Sequence, residues 1–521
     1  MSFIGIDLGS KNVRIAAKRN GKDVEIIQNQ YDEKSILSCI SFLEDRYLIG
    51  EKESLNYENT LFNFKRIMGL DYSQIPLELM DFWPFTVVNV NDKVNLQVKY
   101  DNETKTYSPE ELFLMIILKI IETSENLLGH SIENASISIP CFFTHPKRKA
   151  ILKACETAKL KVRLINEPVA AAMACSFGSG EKNVLVYDIG AYGANASIVT
   201  YQDLIYEVKA SFGVYSGGED FDNCLVGHFV QEFKIKYNKD ISRDKKAMFR
   251  LKCACENAKI TLSTSNEASI SIEALFEGID FSASITKAEF EECLIHLFSK
   301  VTDPIDQVLK DALMRKTSID EIILIGGSSR IPKVQQVIQD FFAGKQLNNS
   351  LDPDCAVACG AAMYSFSYLS KECLEILLLD ATLFSYGIET EGGMMEPIVN
   401  RNTTTPCKKH KTFLPIKEDQ KSVLIKIYEG NRVLARDNIL LGVFEFHLPI
   451  PKENIPQKIR VTFNFTKYTE TIKVICRHKA TGKEEIFNLT HDKVCSKEET
   501  IASQNQELSL RRKPLSLKKK K

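Results

Sequence analysis

Charge of one sign is missing from this chain: 67 lysines and arginines stand against 68 aspartates and glutamates, a formal net charge of −1 over 521 residues. That balance removes any bulk electrostatic case for binding nucleic acid or a membrane surface. Long apolar runs are missing too. The longest, LFLMIILKII (112–121), contains Lys119 and falls short of the ~20 residues a membrane-spanning helix needs. It follows Ser108-Pro109-Glu110-Glu111, a capping box with proline at the first helical position, so the pattern predicts a buried helix. Cysteine is not scarce, at fourteen residues, but its spacing is unproductive. Cys253 and Cys255 form Cys-x-Cys, Cys355 and Cys359 follow at wider spacing, and no Cys-x-x-Cys occurs. With no secretory leader in the opening MSFIGIDLGS, the expectation is a cytosolic protein with reduced thiols, free of disulfides and zinc.

What is present is an ordinary globular composition, 44% hydrophobic and 26% charged, in a chain long enough for two or three domains. Residues 1–370 alternate short apolar runs with helical patterns, which argues an α/β architecture. Strand candidates are FIGID (3–7), ASISIP (135–140), VLVYD (184–188) and EIILIGG (321–327). Helix candidates include PKRKAILKACETAK (146–159) and VTDPIDQVLKDAL (301–313). Ile6-Asp7-Leu8-Gly9 is echoed by Tyr187-Asp188-Ile189-Gly190, and two such strand–turn units suggest two related lobes facing each other. A short apolar string makes 371–380 a linker. Residues 381–493 carry short alternating segments, SVLIKIYEG (422–430), KIRVTFNF (458–465) and TIKVICR (471–477), the pattern of a β-sandwich. Residues 494–521 form a basic tail whose polar stretch 503–521 reads as disordered.

Asp7 and Asp188 each end an apolar strand and precede a glycine. Carboxylates in that position can hold Mg²⁺ through its waters, because Mg²⁺ takes few direct protein ligands. The glycines let backbone N–H groups approach phosphate oxygens. Gly326-Gly327-Ser328, in LIGGSSRIP (324–332), ends a strand and opens a helix, and its amides with Arg330 could face a nucleotide. Gly217 and Gly218 in SGGEDFD (216–222) are a further glycine pair, followed by Glu219. Each element alone is most often structural; their joint appearance in this order is specific.

That order resembles the nucleotide-binding domain of the seventy-kilodalton heat-shock chaperones, within the actin-like ATPase superfamily. Several runs nearly match: NEPVAAAM (166–173), GGEDFDN (217–223), EGIDFSASIT (277–286), GGSSRIPKVQ (326–335) and YGIETEGG (386–393). The resemblance covers about residues 3–493 and implies a two-lobed, ribonuclease H-like ATPase domain followed by a β-sandwich that binds extended polypeptide. It implies ATP or ADP with Mg²⁺ as ligands. Asp7 and Asp188 would flank the hydrated Mg²⁺, Glu167 would order its waters, and Lys65 would position the attacking water, since phosphoryl transfer rests on positioning and charge stabilisation. The turns Gly9-Ser10-Lys11-Asn12 and Gly190 to Gly193 would meet the phosphates. Glu256, Lys259 and Ser263 match the helix that contacts adenosine, with Arg330 and Asp354 on the facing lobe. Pro140, Arg148 and Glu167 match the relay that reports nucleotide state, while Arg163 and Asp380 match positions of linker docking and J-domain response. A J-domain co-chaperone and a nucleotide exchange factor follow as implied partners.

The sequence also departs from the family. Ala191 and Tyr192 replace two glycines of the second turn, Gly193 replaces a threonine and Asn195 an aspartate; losing one preorganised polar contact can cost roughly 10²–10³ in rate. Lys11 brings a cation to the first turn, either supplementing Mg²⁺ or turned to solvent. Ile260 stands where an adenine-stacking arginine is usual. In the sandwich, Ile388, Phe413, Val423, Ile425 and Ile472 would line the peptide channel, or else form plain sandwich core. Glu391 lies where a small or apolar residue arches over the peptide, Leu383 replaces a proline after the linker, and TKYTET (466–471) replaces the usual hairpin. The expected helical lid and acidic co-chaperone motif are missing from the sequence, so peptide should exchange fast. The basic end 511–521 admits a nuclear-localisation, ribosomal RNA or acidic-surface contact, or a plain solvated terminus. Two readings stand: an ATP-binding chaperone with weakened hydrolysis, or a non-catalytic ATP-binding partner of another chaperone. Linker and sandwich argue against an actin-like filament subunit or a sugar kinase.

Overall fold

The computed structural model describes residues 2–19, 21–44, 46–51, 57–75, 80, 83–370, 376–416, 420–449, 457–466, 472–489 and 517–519. The chain divides into two compact units, Met1–Tyr206 with Ala210–Leu377, and Glu207–Lys209 with Leu378–Lys521.

In the first unit one strand arrangement is built twice. Strand β1 (Ser2–Leu8) pairs antiparallel with β2 (Asn12–Arg19) and parallel with β3 (Asn134–Ile139), which continues to β4 (Lys161–Asn166). Strand β5 (Lys182–Ile189) pairs antiparallel with β6 (Ala194–Gln202), followed by β7 (Ile205–Val214), and parallel with β8 (Glu321–Ile325). Near-continuous burial along β1 and β5 follows from helices covering the sheets, the reason parallel strands carry apolar residues on both faces. Each sheet has its own core, one around Ile6, Phe113 and Ile137 and the other around Leu185, Phe229 and Phe281, so the echo at Asp7 and Asp188 does mark two related lobes.

Helix α1 (Pro109–Leu128) forms where the capping box predicts it. The Ser108 hydroxyl accepts from the Glu111 amide at 3.2 Å, and the Glu111 carboxylate accepts from the Ser108 amide at 2.7 Å. Leu112, Phe113, Ile116, Ile117 and Ile120 recur at helical spacing and are buried in the first lobe. Three further helices bear on the site: α2 (His145–Thr157), α3 (Glu167–Ala174) and, beyond them, α4 (Gly218–Tyr237). Helix α5 (Lys245–Leu262) starts at Asp244, whose carboxylate accepts from the Ala247 amide at 2.7 Å. The helix expected over 301–313 is shorter, Asp303–Asp311, because Leu313 takes a left-handed φ of 55° that no helix continues through. No helix among the described residues is long and apolar enough to cross a membrane. Twelve cysteines among those residues are free thiols.

The second unit has strands β9 (Tyr386–Thr390), β10 (Met394–Val399), β11 (Cys407–Pro415), β12 (Ser422–Glu429), β13 (Ile439–His447), β14 (Ile459–Phe465), β15 (Ile472–His478) and β16 (Glu484–Leu489). They pair as β13-β12-β9-β10 and as β11-β14-β15-β16, two antiparallel layers of the expected sandwich around one core. The basic end contributes one described element, strand β17 (Leu517–Lys519), which lies between β9 and β11. The rest of 490–521, residues 371–375 of the linker and 467–471 of TKYTET lie outside the described residues.

Replacing Ser108 by alanine removes one half of the capping box. Thermal unfolding of Ser108→Ala should register a loss of about 1 kcal/mol; no change in Tm would mean that the cap contributes nothing.

Candidate functional site

Asp7 and Asp188 hold the penultimate positions of β1 and β5, opposite Arg14 and Asn195 respectively. Because the two strands belong to matching units, their ends face one cleft of about 510 Å³ lined by both lobes. Glu167 enters this cleft from the start of α3. Lys65 enters from a short 3-10 turn, buried, and donates to the carbonyl oxygens of Leu8, at 2.6 Å, and Gly9. The four residues assigned to phosphoryl chemistry are therefore neighbours, although they come from four separate elements.

Their electrostatics are those of a site short of positive charge. Burial raises the Asp7 carboxyl, opposed by Arg14, Lys65 and a hydrogen bond from Ser138 at 3.3 Å. Burial and the Asp7 charge push Asp188 up to about 7. Glu167 is raised well above the carboxylate range, first by burial and then by Asp188 and Asp7, so it holds the proton of the Glu167–Asp188 hydrogen bond. Burial draws Lys65 down to about 8 against the pull of Asp7 and Glu167. A divalent cation would relieve this crowding. Among the described residues no group of three or more His, Cys, Asp or Glu side chains is arranged to hold a metal directly.

The second turn accommodates its two non-glycine residues without a left-handed backbone. Gly190 N–H donates to the Gly193 carbonyl at 2.9 Å, and neither Ala191 nor Tyr192 between them has a positive φ. Losing two glycines there costs no backbone strain. Tyr192 places its ring 5.4 Å from the Arg66 guanidinium and its hydroxyl against Asn63, and so stitches the second turn to the first lobe. At Gly193 the limit is space: a Cβ would come within 2.5 Å of the Phe142 ring and 3.0 Å of the Val214 carbonyl oxygen. Asn195 is buried, donates to Glu167 Oε2 at 2.9 Å and accepts from the Cys141 amide at 3.0 Å. A carboxylate in its place could not make that donation.

Around this centre, Ser10, Asn12 and Gly9 line the cleft, and Lys11 pairs with Glu256 of α5, a third arrangement besides metal supplement and solvent. Lys259 bonds Asp222 at 2.8 Å and the Gly218 carbonyl at 3.0 Å, so Gly217 and Gly218 stand behind it instead of on the cleft wall. Ser263 and Ile260 line the cleft, the latter 58% exposed. Glu219 is held by Arg66 at 3.2 Å and by Lys252. Gly326 has φ 81°, and a Cβ there would meet Asp188 Oδ1 at 2.4 Å, so glycine is required. Gly327 and Ser328 line the cleft with Asp354, and Ser328 donates to the Gly190 carbonyl at 3.2 Å. Arg330 lies off the wall, bound to Asp352 at 3.1 Å and Asp354 at 2.7 Å.

Of the relay residues, Pro140 lines the cleft, Arg148 is buried on α2, and Arg163 holds its guanidinium 3.6 Å from the Tyr368 ring centre. Asp380, in the second unit, accepts from the Ala381 amide at 2.8 Å. There Ile388, Phe413, Val423, Ile425 and Ile472 gather in the sandwich core, all buried, and Glu391 lies exposed at the end of β9. Phe142, Asn63 and Lys147 escaped the sequence reading; each acts through neighbours distant in the chain, and no local pattern marks them.

A family model described as Hsp70 protein matches residues 3–516. A heat shock 70 kDa protein of Emericella nidulans is 43% identical over 94% of this chain and 78% of its own length. The heat shock cognate 70 kDa protein 3 of Dictyostelium discoideum is also 43% identical, over 95% and 81%. A ribosome-associated molecular chaperone of Eremothecium gossypii is 39% identical over 92% and 80%. The chain belongs to the Hsp70 family, whose members bind nucleotide and unfolded polypeptide.

Lys147 supports the cleft wall, donating to the Arg66 carbonyl at 2.7 Å and the Tyr215 hydroxyl at 2.9 Å, and burial takes its pKa down to about 7. The unfolded chain therefore binds more protons at Lys147 than the native one above that pH, and this residue by itself adds a rise of about 2 kcal/mol to native stability between pH 7 and 9. Lys147→Met should lose this slope in denaturant titrations at the two pH values; a parallel slope in both proteins would refute it.

Proposed function

We propose that this chain is an ATP-binding chaperone of the cytoplasm that binds unfolded or extended polypeptide and hydrolyses ATP slowly. The single observation that carries the nucleotide half is the convergence of Asp7, Lys65, Glu167 and Asp188 on one two-lobed cleft. Bound with Mg²⁺, ATP would supply the phosphoanhydride to be cleaved. Asp7 and Asp188 would orient the ion's waters, Glu167 would hold a proton among them, and Lys65 would stand beside the terminal phosphate. Glu256, Lys259, Ser263, Asp354 and the Gly326–Gly327 turn would take the nucleoside, with Ile260 packing against the base.

Slow hydrolysis is supported by the surroundings of Gly193. No hydroxyl faces the centre from that position, and Phe142 fills the space where one would be carried. Asn195 gives Glu167 a donor where an acid would add repulsion. In the sandwich the reading rests on Ile388, Phe413, Val423, Ile425 and Ile472, gathered in one buried core. J-domain and exchange-factor partners, coupling through Pro140, Arg148, Arg163 and Asp380, and nuclear or RNA contacts of the tail belong to the same reading. The alternative, a non-catalytic partner of another chaperone, is favoured by Gly193 and Asn195 together.

Direct MgATP binding and single-turnover hydrolysis decide between the two. The expected result is binding with turnover roughly 10²–10³ slower than in a relative that carries the hydroxyl, and faster with a J-domain protein. Binding without any turnover would leave only the partner reading, and no binding would overturn both. Gly193→Thr alone should lower stability by about 1–3 kcal/mol through overpacking against Phe142, without raising the rate; Phe142→Ala in the same chain should absorb that cost.

A further inference from the structure

The two layers of the sandwich do not pair directly at β9 and β11. The only described strand between them is β17, with Leu517 opposite Thr390 in parallel register and Leu517, Lys518 and Lys519 opposite Pro415, Leu414 and Phe413 in antiparallel register. Without β17, β9 keeps β10 along its length and β12 opposite Tyr386 to Ile388, whereas β11 keeps β14 alone and becomes the edge strand at this seam. Edge strands with unpaired N–H and C=O groups are templates for an added strand, recognised through its main chain. Leu-Lys-Lys has neither the proline that would interrupt such a ladder nor a glycine that would weaken it. Charge agrees: Glu391, exposed and next in sequence to Thr390, borders the seam, and the segment belongs to the basic run Arg511 to Lys521.

We propose that residues 517–519 are a resident ligand of the sandwich, bound as a strand in the β9–β11 seam, which an incoming extended polypeptide must displace. The competition half rests on the peptide-binding reading above; the occupancy half does not. A tethered segment competes at an effective concentration of the order of mM, so self-occupancy should weaken the apparent affinity for a free peptide about tenfold or more.

Hydrogen exchange on the full-length chain reads the occupancy. The amides of Lys518 and Lys519 should be protected, and should lose protection when excess free peptide RRKPLSLKKKK is added. Unprotected amides would overturn the proposal without bearing on peptide binding. Fluorescence anisotropy with the same peptide, labelled, reads the competition: the full-length Leu517→Pro/Lys518→Pro variant, altered outside the hydrophobic core, should bind at least tenfold tighter than the parent, and Glu391→Lys should weaken that gain. Equal, measurable affinity in parent and variant would overturn self-competition. Protected amides with no peptide binding by either protein would leave the strand in place and overturn the peptide-binding reading instead.

Discussion

Three carboxyl groups held out of water at the ends of three separate elements are the constraint around which the first unit is arranged. Burial alone would keep Asp7, Glu167 and Asp188 uncharged, and their mutual repulsion adds to that cost. The fold counters with Lys65, Arg14, Ser138 and Asn195, each positioned by a different strand, turn or helix. Such a cluster is stable only if the lobes that present it are rigid. Doubling one strand arrangement supports that, since each aspartate lies near the end of a strand that has both an antiparallel and a parallel neighbour.

Seen this way, the unusual second turn is coherent. Asn195 and Gly193 alter the centre by one charge and one hydroxyl, and the cavity closes over the second loss with an aromatic ring. The same ring makes simple reversion of Gly193 unproductive, because packing density leaves no void to receive a larger side chain. Lys11 and Tyr192 both reach across to the opposite lobe.

Much of this was legible in the sequence because it is local. A strand ending in Asp-x-Gly, a Ser-Pro-Glu-Glu cap and a two-residue alternation are read from adjacent residues, and all formed close to where they were expected. Legibility failed where meaning lies in space. Phe142 and Gly193 meet across 51 positions of chain. The partner of Lys11 is 245 residues away. The helix over 301–313 stopped early because of one backbone angle, which composition does not encode. The strand at Leu517–Lys519 is the extreme case: a lysine-rich run has no intrinsic reason to be extended, and only the open seam supplies one.

The clasp across the cleft is open to salt. Lys11 with Glu256 and Arg66 with Glu219 join the two lobes through pairs that still see solvent, the first 45% and 28% exposed. Contacts of that kind contribute little to overall stability, roughly 0–1 kcal/mol each, yet they tie one lobe to the other across the cleft. At physiological ionic strength the screening length is about 8 Å, so dissolved salt reaches these hinges while leaving the buried acids untouched. Ionic strength thereby acts on the tie between the lobes and not on the charges at the floor of the cleft.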